Sequence, residues 1–164
     1  GHGLSLGTGM ALAFKADGTA QRVFVLLGDG ECEEGSVWEA IMSAAKYGLD
    51  NLVIIVDNNH IQKMNSLEKV MGITDWQQRF EAFGLDCVRT DGHDVDAVAA
   101  AVSGLRANGK PHVIIAETVK GKGVSIMENN PAWHWRMPNR REMKVFMREL
   151  NITEEELEQC RKHI

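Results

Sequence analysis

Two short apolar runs, rich in β-branched residues, each end on a polar motif, and that pairing constrains the fold more than any other feature of the chain. The first run is Arg22-Val23-Phe24-Val25-Leu26-Leu27, followed by Gly28-Asp29-Gly30. The second is Leu52-Val53-Ile54-Ile55-Val56-Asp57, followed by Asn58-Asn59, with residues 31–57 between the motifs. Near-continuous apolar runs of this length read as strands buried on both faces, the habit of parallel sheets. Two such strands side by side bring an aspartate and an asparagine to one sheet edge, where open α/β sheets bind ligands. A carboxylate and an amide oxygen there suit a hard cation such as Mg²⁺, which takes oxygen ligands and leaves part of its shell to phosphate or water. Gly-Asp-Gly alone reads first as a tight turn after a strand. The second strand-end motif is what gives the pair its chemical reading.

The intervening segments alternate between helix and strand. Ser5 to Lys15 is small-residue-rich and apolar on most sides, a buried helix whose glycines permit close approach to a neighbour. Val37, Ala40, Ile41, Ala44 and Ala45 repeat at helical spacing from about Ser36 to Tyr47, and Gly48 is a natural stop. Residues 60–73 read as irregular. A short helix is expected from Asp75 to Phe83 with Thr74 as cap, then a strand from Leu85 to Arg89. Asp91-Gly92-His93-Asp94 is a turn that supplies an N-cap at Asp94. An amphipathic helix follows through Val95, Val98, Ala99, Val102 and Leu105, ending near Asn108-Gly109. His112 to Thr118 is a fourth strand. Residues 124–140 lack a period, a helix runs from Asn139 to about Leu150, and Thr153-x-x-Glu156 is a capping box opening another. The expected fold is therefore α/β, a parallel sheet flanked by helices. It forms a single domain, with a core over about 3–120, a loop over 121–138 and C-terminal helices over 139–164.

Composition excludes several classes. Of 164 residues 44% are hydrophobic and 25% charged, with a formal net charge of −5 and acids and bases interleaved. This suits a globular domain with one core. No basic stripe invites nucleic acid, and no apolar run approaches the ~18 residues of a membrane span. Cys32, Cys87 and Cys160 are scattered and odd in number, as reduced thiols of a cytoplasmic protein would be.

Gly-Asp-Gly, this spacer and Asn-Asn together resemble the thiamine diphosphate (ThDP) enzymes. Glu34-Gly35, Asp91-Gly92-His93-Asp94, the segment Thr118 to Gly123 and Ile126-Met127-Glu128-Asn129-Asn130-Pro131-Ala132-Trp133-His134 narrow the resemblance to the amino-terminal half of transketolases. It runs from Gly3 to about Thr153. It implies a ThDP-binding fold and a two-carbon ketol transfer between sugar phosphates. Asp29 and Asn59 match the family's metal ligands, with the backbone carbonyl of Ile61 completing the protein's share around Mg²⁺, or another divalent cation such as Ca²⁺ or Mn²⁺. Gly30 matches the glycine whose N–H meets the diphosphate. Glu31 and Glu33 read first as acids at a helix start, and Glu31 joins Gly30 and Asn59 as a candidate cofactor contact. His2, in Gly1-His2-Gly3-Leu4-Ser5-Leu6-Gly7, matches a segment beside the cofactor. It reads equally as a residue of a chain end. Glu34 matches a glutamate that faces its symmetry mate and couples two active sites. His134 matches a histidine touching the diphosphate and substrate region. His93 and His112 read as structural.

The chain departs from that family at Trp135-Arg136-Met137-Pro138, where transketolases have Gly-x-Ala-Pro, which bears on substrate access. The family's upstream segment and its pyrimidine-binding domain, whose glutamate activates the cofactor, are not in this sequence. The resemblance therefore implies a diphosphate-binding subunit or fragment. It would work with a pyrimidine-domain partner chain and self-associate, with helices 5–15 and 36–47 covered in the complex. Lys120 to Asn139 would close as a lid, and its two tryptophans would lack apolar cover in the chain alone. Alternatives are a 1-deoxyxylulose-5-phosphate synthase-like or 2-oxo acid dehydrogenase-like enzyme, the latter disfavoured by the Trp-His segment, and a catalytically silent assembly subunit.

Overall fold

The computed structural model describes residues 1–73 and 75–161, without the side chains of 160 and 161. It divides into two compact units, Gly1–Thr118 and Val119–Ile164. The first holds a four-stranded parallel sheet formed by β1 (Val23–Gly28), β2 (Leu52–Asn58), β5 (Asp86–Asp91) and β6 (His112–Glu117), in the order β1-β2-β6-β5. The two apolar runs of the sequence are β1 and β2, and they are neighbours.

Helix α1 (Gly3–Ala16) lies on β1. It buries Leu4, Gly7, Thr8 and Ala11. A Cβ on Gly7 would overlap a methyl of Val25, so glycine is what lets the helix backbone come this close to the strand. Helix α2 (Gly35–Lys46) turns Val37, Ala40, Ile41 and Ala44 inward, as its spacing predicts. The core joins these to Leu52, Ile54, Val56, Val113 and Ile115 from the central strands and to Trp76 and Phe80. Trp38 stacks on both aromatic rings, with centroids 6.3 and 5.5 Å away.

Three sequence expectations are corrected in this unit, for β1, residues 60–73 and α5. β1 is buried on one face only: it is an edge strand, and Phe24 and Leu26 on its second face are exposed. Residues 60–73 are ordered into a hairpin of β3 (Ile61–Gln62) and β4 (Asn65–Ser66) and a one-turn helix α3 (Leu67–Val70). Helix α4 (Trp76–Ala82) is capped by Asp75, whose carboxylate accepts the Gln78 N–H at 3.1 Å; the cap expected of Thr74 lies outside the described residues. Helix α5 (Val95–Gly104) ends before Asn108-Gly109 and buries none of its apolar stripe fully, because it packs on β5, the half-exposed strand at the other edge. Its Asp94 cap is as expected, accepting from Asp96 and Ala97 N–H at 2.9 and 3.0 Å.

In the second unit, residues 119–130 form successive hydrogen-bonded turns and Pro131–His134 a 3₁₀ turn. Trp133 does not lack cover as expected. It is buried, its indole donating to the Ile126 carbonyl at 2.7 Å, with Phe146 5.3 Å from its ring and the Arg136 guanidinium 3.5 Å above it. Trp135 is exposed. Helix α6 (Arg140–Glu149) carries a complete capping box from Asn139 and Glu142. Helix α7 (Glu154–Arg161) follows Thr153, whose hydroxyl accepts the Glu156 N–H at 3.2 Å. No helix among the described residues is long and apolar enough to cross a membrane. Cys32 and Cys87 are free thiols, and burial pushes both well above the ordinary thiol range, Cys87 to about 12.

Candidate functional site

The β1–β2 register pairs Gly28 with Asp57, so the residues just past the two strands emerge side by side. The Asp29 N–H extends the ladder by one bond, to the Asp57 carbonyl at 3.1 Å. The Asp29 side chain turns inward and the residue is only 2% exposed. Its Oδ1 accepts the Gly30 N–H at 2.7 Å and its Oδ2 the His60 N–H at 2.6 Å. Burial nevertheless raises its pKa, against the pull of those two bonds, and the neighbouring Asp57 charge adds to the rise. A carboxylate so placed is costly in its charged form unless a cation joins it.

The Asn59 amide is oriented from both ends. Its Oδ1 accepts the Ile61 N–H at 3.0 Å and its Nδ2 donates to Asp57 Oδ2 at 3.2 Å. The other Asp57 oxygen accepts from the Thr118 hydroxyl. Ile61 is half-buried at the start of β3. The Gln62 side chain lies over Gly30, where an added Cβ would stand 2.7 Å from its Cγ; glycine is what leaves room for that side chain. Two buried amide oxygens here, Asn58 Oδ1 and Gln62 Oε1, have no hydrogen-bond partner.

These observations fit a hard divalent ion. The donors are oxygen throughout, one of them a buried carboxylate in need of positive charge, and unsatisfied oxygens lie nearby. Among the described residues no three His, Cys, Asp or Glu side chains gather into a metal cluster. Asp29, Asn59 and Ile61 would hold the ion. Gly30 is the place where a diphosphate could approach the backbone.

The remaining candidates are placed as follows. Glu31 opens the 3₁₀ turn Glu31–Glu33, half-buried, with Oε2 accepting the Gly28 N–H at 3.3 Å. His2 is exposed and stands at the N-cap position of α1, next to Gly1, whose amino group is 2.8 Å from Glu31. Glu34 is exposed as the N-cap residue of α2 and makes no side-chain cap bond. His134 belongs to the second unit, where it ends the 3₁₀ turn with its side chain exposed.

Three further residues of this edge, Glu117, His60 and Arg89, carry no motif that singles them out in the sequence. Glu117, at the end of β6, receives the Asn58 amide on both oxygens at 3.0 Å, lies 3.0 Å from His60 Nε2 and pairs with Arg89. The available signal was opposite charge on adjacent strands, Arg89 and Glu117, near the ligand edge of a parallel sheet.

The chain matches, over residues 1–158, the family described as the thiamine diphosphate binding domain of transketolase. It is 41% identical over 150 residues to one subunit of the apulose-4-phosphate transketolase of Actinobacillus succinogenes, covering 92% of this chain and 54% of that one. It is likewise 41% identical over 159 residues to the protein of the same name from Phocaeicola vulgatus, covering 96% and 57%. The chain thus spans about half the length of these curated relatives. Among solved structures it resembles transketolase from Campylobacter jejuni, with a TM-score of 0.83 at 27% identity over 92% of this chain and 25% of that one.

Proposed function

Since this chain belongs to the transketolase thiamine diphosphate-binding domain family, we propose that it is the diphosphate- and Mg²⁺-binding part of a ThDP-dependent transferase. That enzyme moves a two-carbon ketol unit between sugar phosphates, together with a pyrimidine-domain partner chain. The observation that carries the reading is the buried, cation-seeking Asp29 beside Asn59 at the ends of two parallel strands. When bound, the cofactor supplies the carbanion-stabilising chemistry. This chain's residues hold and orient. Asp29, Asn59 and the Ile61 carbonyl take the cation, and Gly30 admits the diphosphate. Glu31 and His2 border it.

Glu34 and His134 are proposed as functional partners, Glu34 facing a second copy and His134 the substrate region. The segment Lys120 to Asn139 serves as a lid that excludes water when it closes. The names of the relatives support a partner subunit and give a first substrate to try.

The test is a turnover assay of this chain with a co-expressed pyrimidine-domain chain, ThDP and Mg²⁺, against a panel of ketose phosphates that includes apulose 4-phosphate. Ketol transfer by the pair, lost in Asp29→Ala, is the expected result. A pair that binds ThDP but transfers no unit from any donor would refute the assigned activity and favour the assembly-subunit alternative.

A further inference from the structure

The Glu117 side chain collects contacts from the two strands on either side of β6. Asn58, at the end of β2, donates its amide to both carboxylate oxygens, each at 3.0 Å. His60 Nε2 stands 3.0 Å from Oε2, and Arg89 of β5 pairs with Oε1. Arg89 is held in turn by Gln77 Oε1 at 3.0 Å and Asp75 Oδ1 at 3.3 Å, both at the start of α4. The contacts reach the sheet edge in a particular place: Asn58 and His60 flank Asn59, and Ile61 follows His60. His60 has φ 61°, a left-handed conformation uncommon for a residue with a side chain. In that conformation its N–H reaches Asp29 Oδ2 at 2.6 Å. The ring's contact with Glu117 and the backbone's bond to Asp29 thus fix the same residue from two sides.

We propose that Glu117, braced by Arg89, is a positioning residue for the cation site: by gripping Asn58 and His60 it fixes the turn from which Asp29, Asn59 and Ile61 present their oxygens to one ion. The inference rests on the cation reading under the proposed function and goes beyond it, since Glu117 and Arg89 touch neither ion nor cofactor in this scheme. Groups that orient metal ligands from behind change affinity by about 10- to 100-fold when altered. A merely structural tie would move stability and leave affinity alone.

The experiment is a Mn²⁺ titration of the 164-residue chain in the presence of ThDP, read as free Mn²⁺ by electron paramagnetic resonance, with thermal midpoints measured alongside. Asp29→Ala is expected to abolish saturable binding. Glu117→Gln, which keeps the shape and removes the charge, is expected to weaken it by about tenfold or more. His60→Asn keeps a residue tolerant of positive φ and withdraws the ring from Glu117. It should weaken binding too, and add little further loss when combined with Glu117→Gln. Affinity within about twofold of the unaltered chain in Glu117→Gln, while Asp29→Ala abolishes binding, overturns the positioning role and leaves the cation site standing. Equal binding by Asp29→Ala and the unaltered chain overturns the cation reading and this inference with it. Should Glu117→Gln fail to fold, His60→Asn decides by the same criterion.

Discussion

Asp29 accepts two backbone N–H groups and still has a raised pKa, because burial outweighs them. In the folded protein it holds its proton to higher pH than the ordinary value of about 3.9. Its contribution to stability is therefore fully present below that value and is lost as pH rises through the raised one. A bound divalent ion offsets the cost of the charge. At pH 7, MgCl₂ is expected to raise the thermal midpoint of the unaltered chain and to leave Asp29→Ala unmoved. The Mg²⁺ effect should shrink as pH is lowered toward about 4 and the carboxylate takes up its proton. An equal shift in both proteins at pH 7 would sink the assignment. That Asp29 and Asn59 share one edge was legible because both follow strand-like runs, and the β1–β2 register does bring the two strand ends together. His60 was not: nothing in a histidine announces a positive φ, and its partner Glu117 lies on another strand.

Among the elements, α1 and α6 illustrate opposite balances. Replacing Gly7 by alanine would gain about 1 kcal/mol of helix propensity. The new Cβ would overlap Val25 Cγ2, and the overpacking cost is typically about 1–3 kcal/mol. Gly7→Ala is thus expected to destabilise the first unit, measurable as a lower urea midpoint; a higher midpoint would mean that α1 can slide off β1 freely. Helix α6 depends on its cap instead. Asn139 accepts from Arg141 and Glu142 N–H at 2.9 and 3.0 Å, and Asn139→Ala should cost about 1 kcal/mol. The Arg136 guanidinium beside Glu142, helped by the Asn139 N–H, holds that carboxyl below its ordinary range. Its contribution is present above about pH 4.3 and is lost as pH falls below that value. Protection against hydrogen exchange in residues 140–149, taken relative to the intrinsic rate at each pH, should fall on acidification in the unaltered protein and already be lower near neutral pH in Asn139→Ala. Protection that is the same in both proteins would show that packing alone holds α6.

For the molecule as a whole, the informative feature is the apolar surface. Leu6 and Met10 on α1, Phe24 and Leu26 on β1 and Met42 on α2 are all exposed, Leu6 and Leu26 to 69% each. Surface of this kind commonly marks a site of association. The chain alone is expected to self-associate or to bind a pyrimidine-domain chain, with exchange slowing in residues 3–16 and 35–46 on complex formation. Turnover without that partner should be negligible. Robust ketol transfer by the purified chain, or a stable monomer whose α1 exchange ignores the added partner, would count against the two-chain arrangement.

The local code settled a good deal by itself. Apolar runs of β-branched residues specify strands wherever they end up, helical spacing specified the inward face of α2, and Asp94, Asn139 and Thr153 cap their helices through bonds a few residues long. Strand-end position put Asp29 and Asn59 together as candidates for the same reason. Tertiary structure decided what depends on neighbours far along the chain. It set the order β1-β2-β6-β5, and with it the exposure of β1 and β5 as edges. It gave Trp133 its cover, and it brought Glu117 and Arg89 together with Asn58 and His60 at one sheet edge. Burial and pairing between strands are properties of the packed sheet, and no single segment carries them.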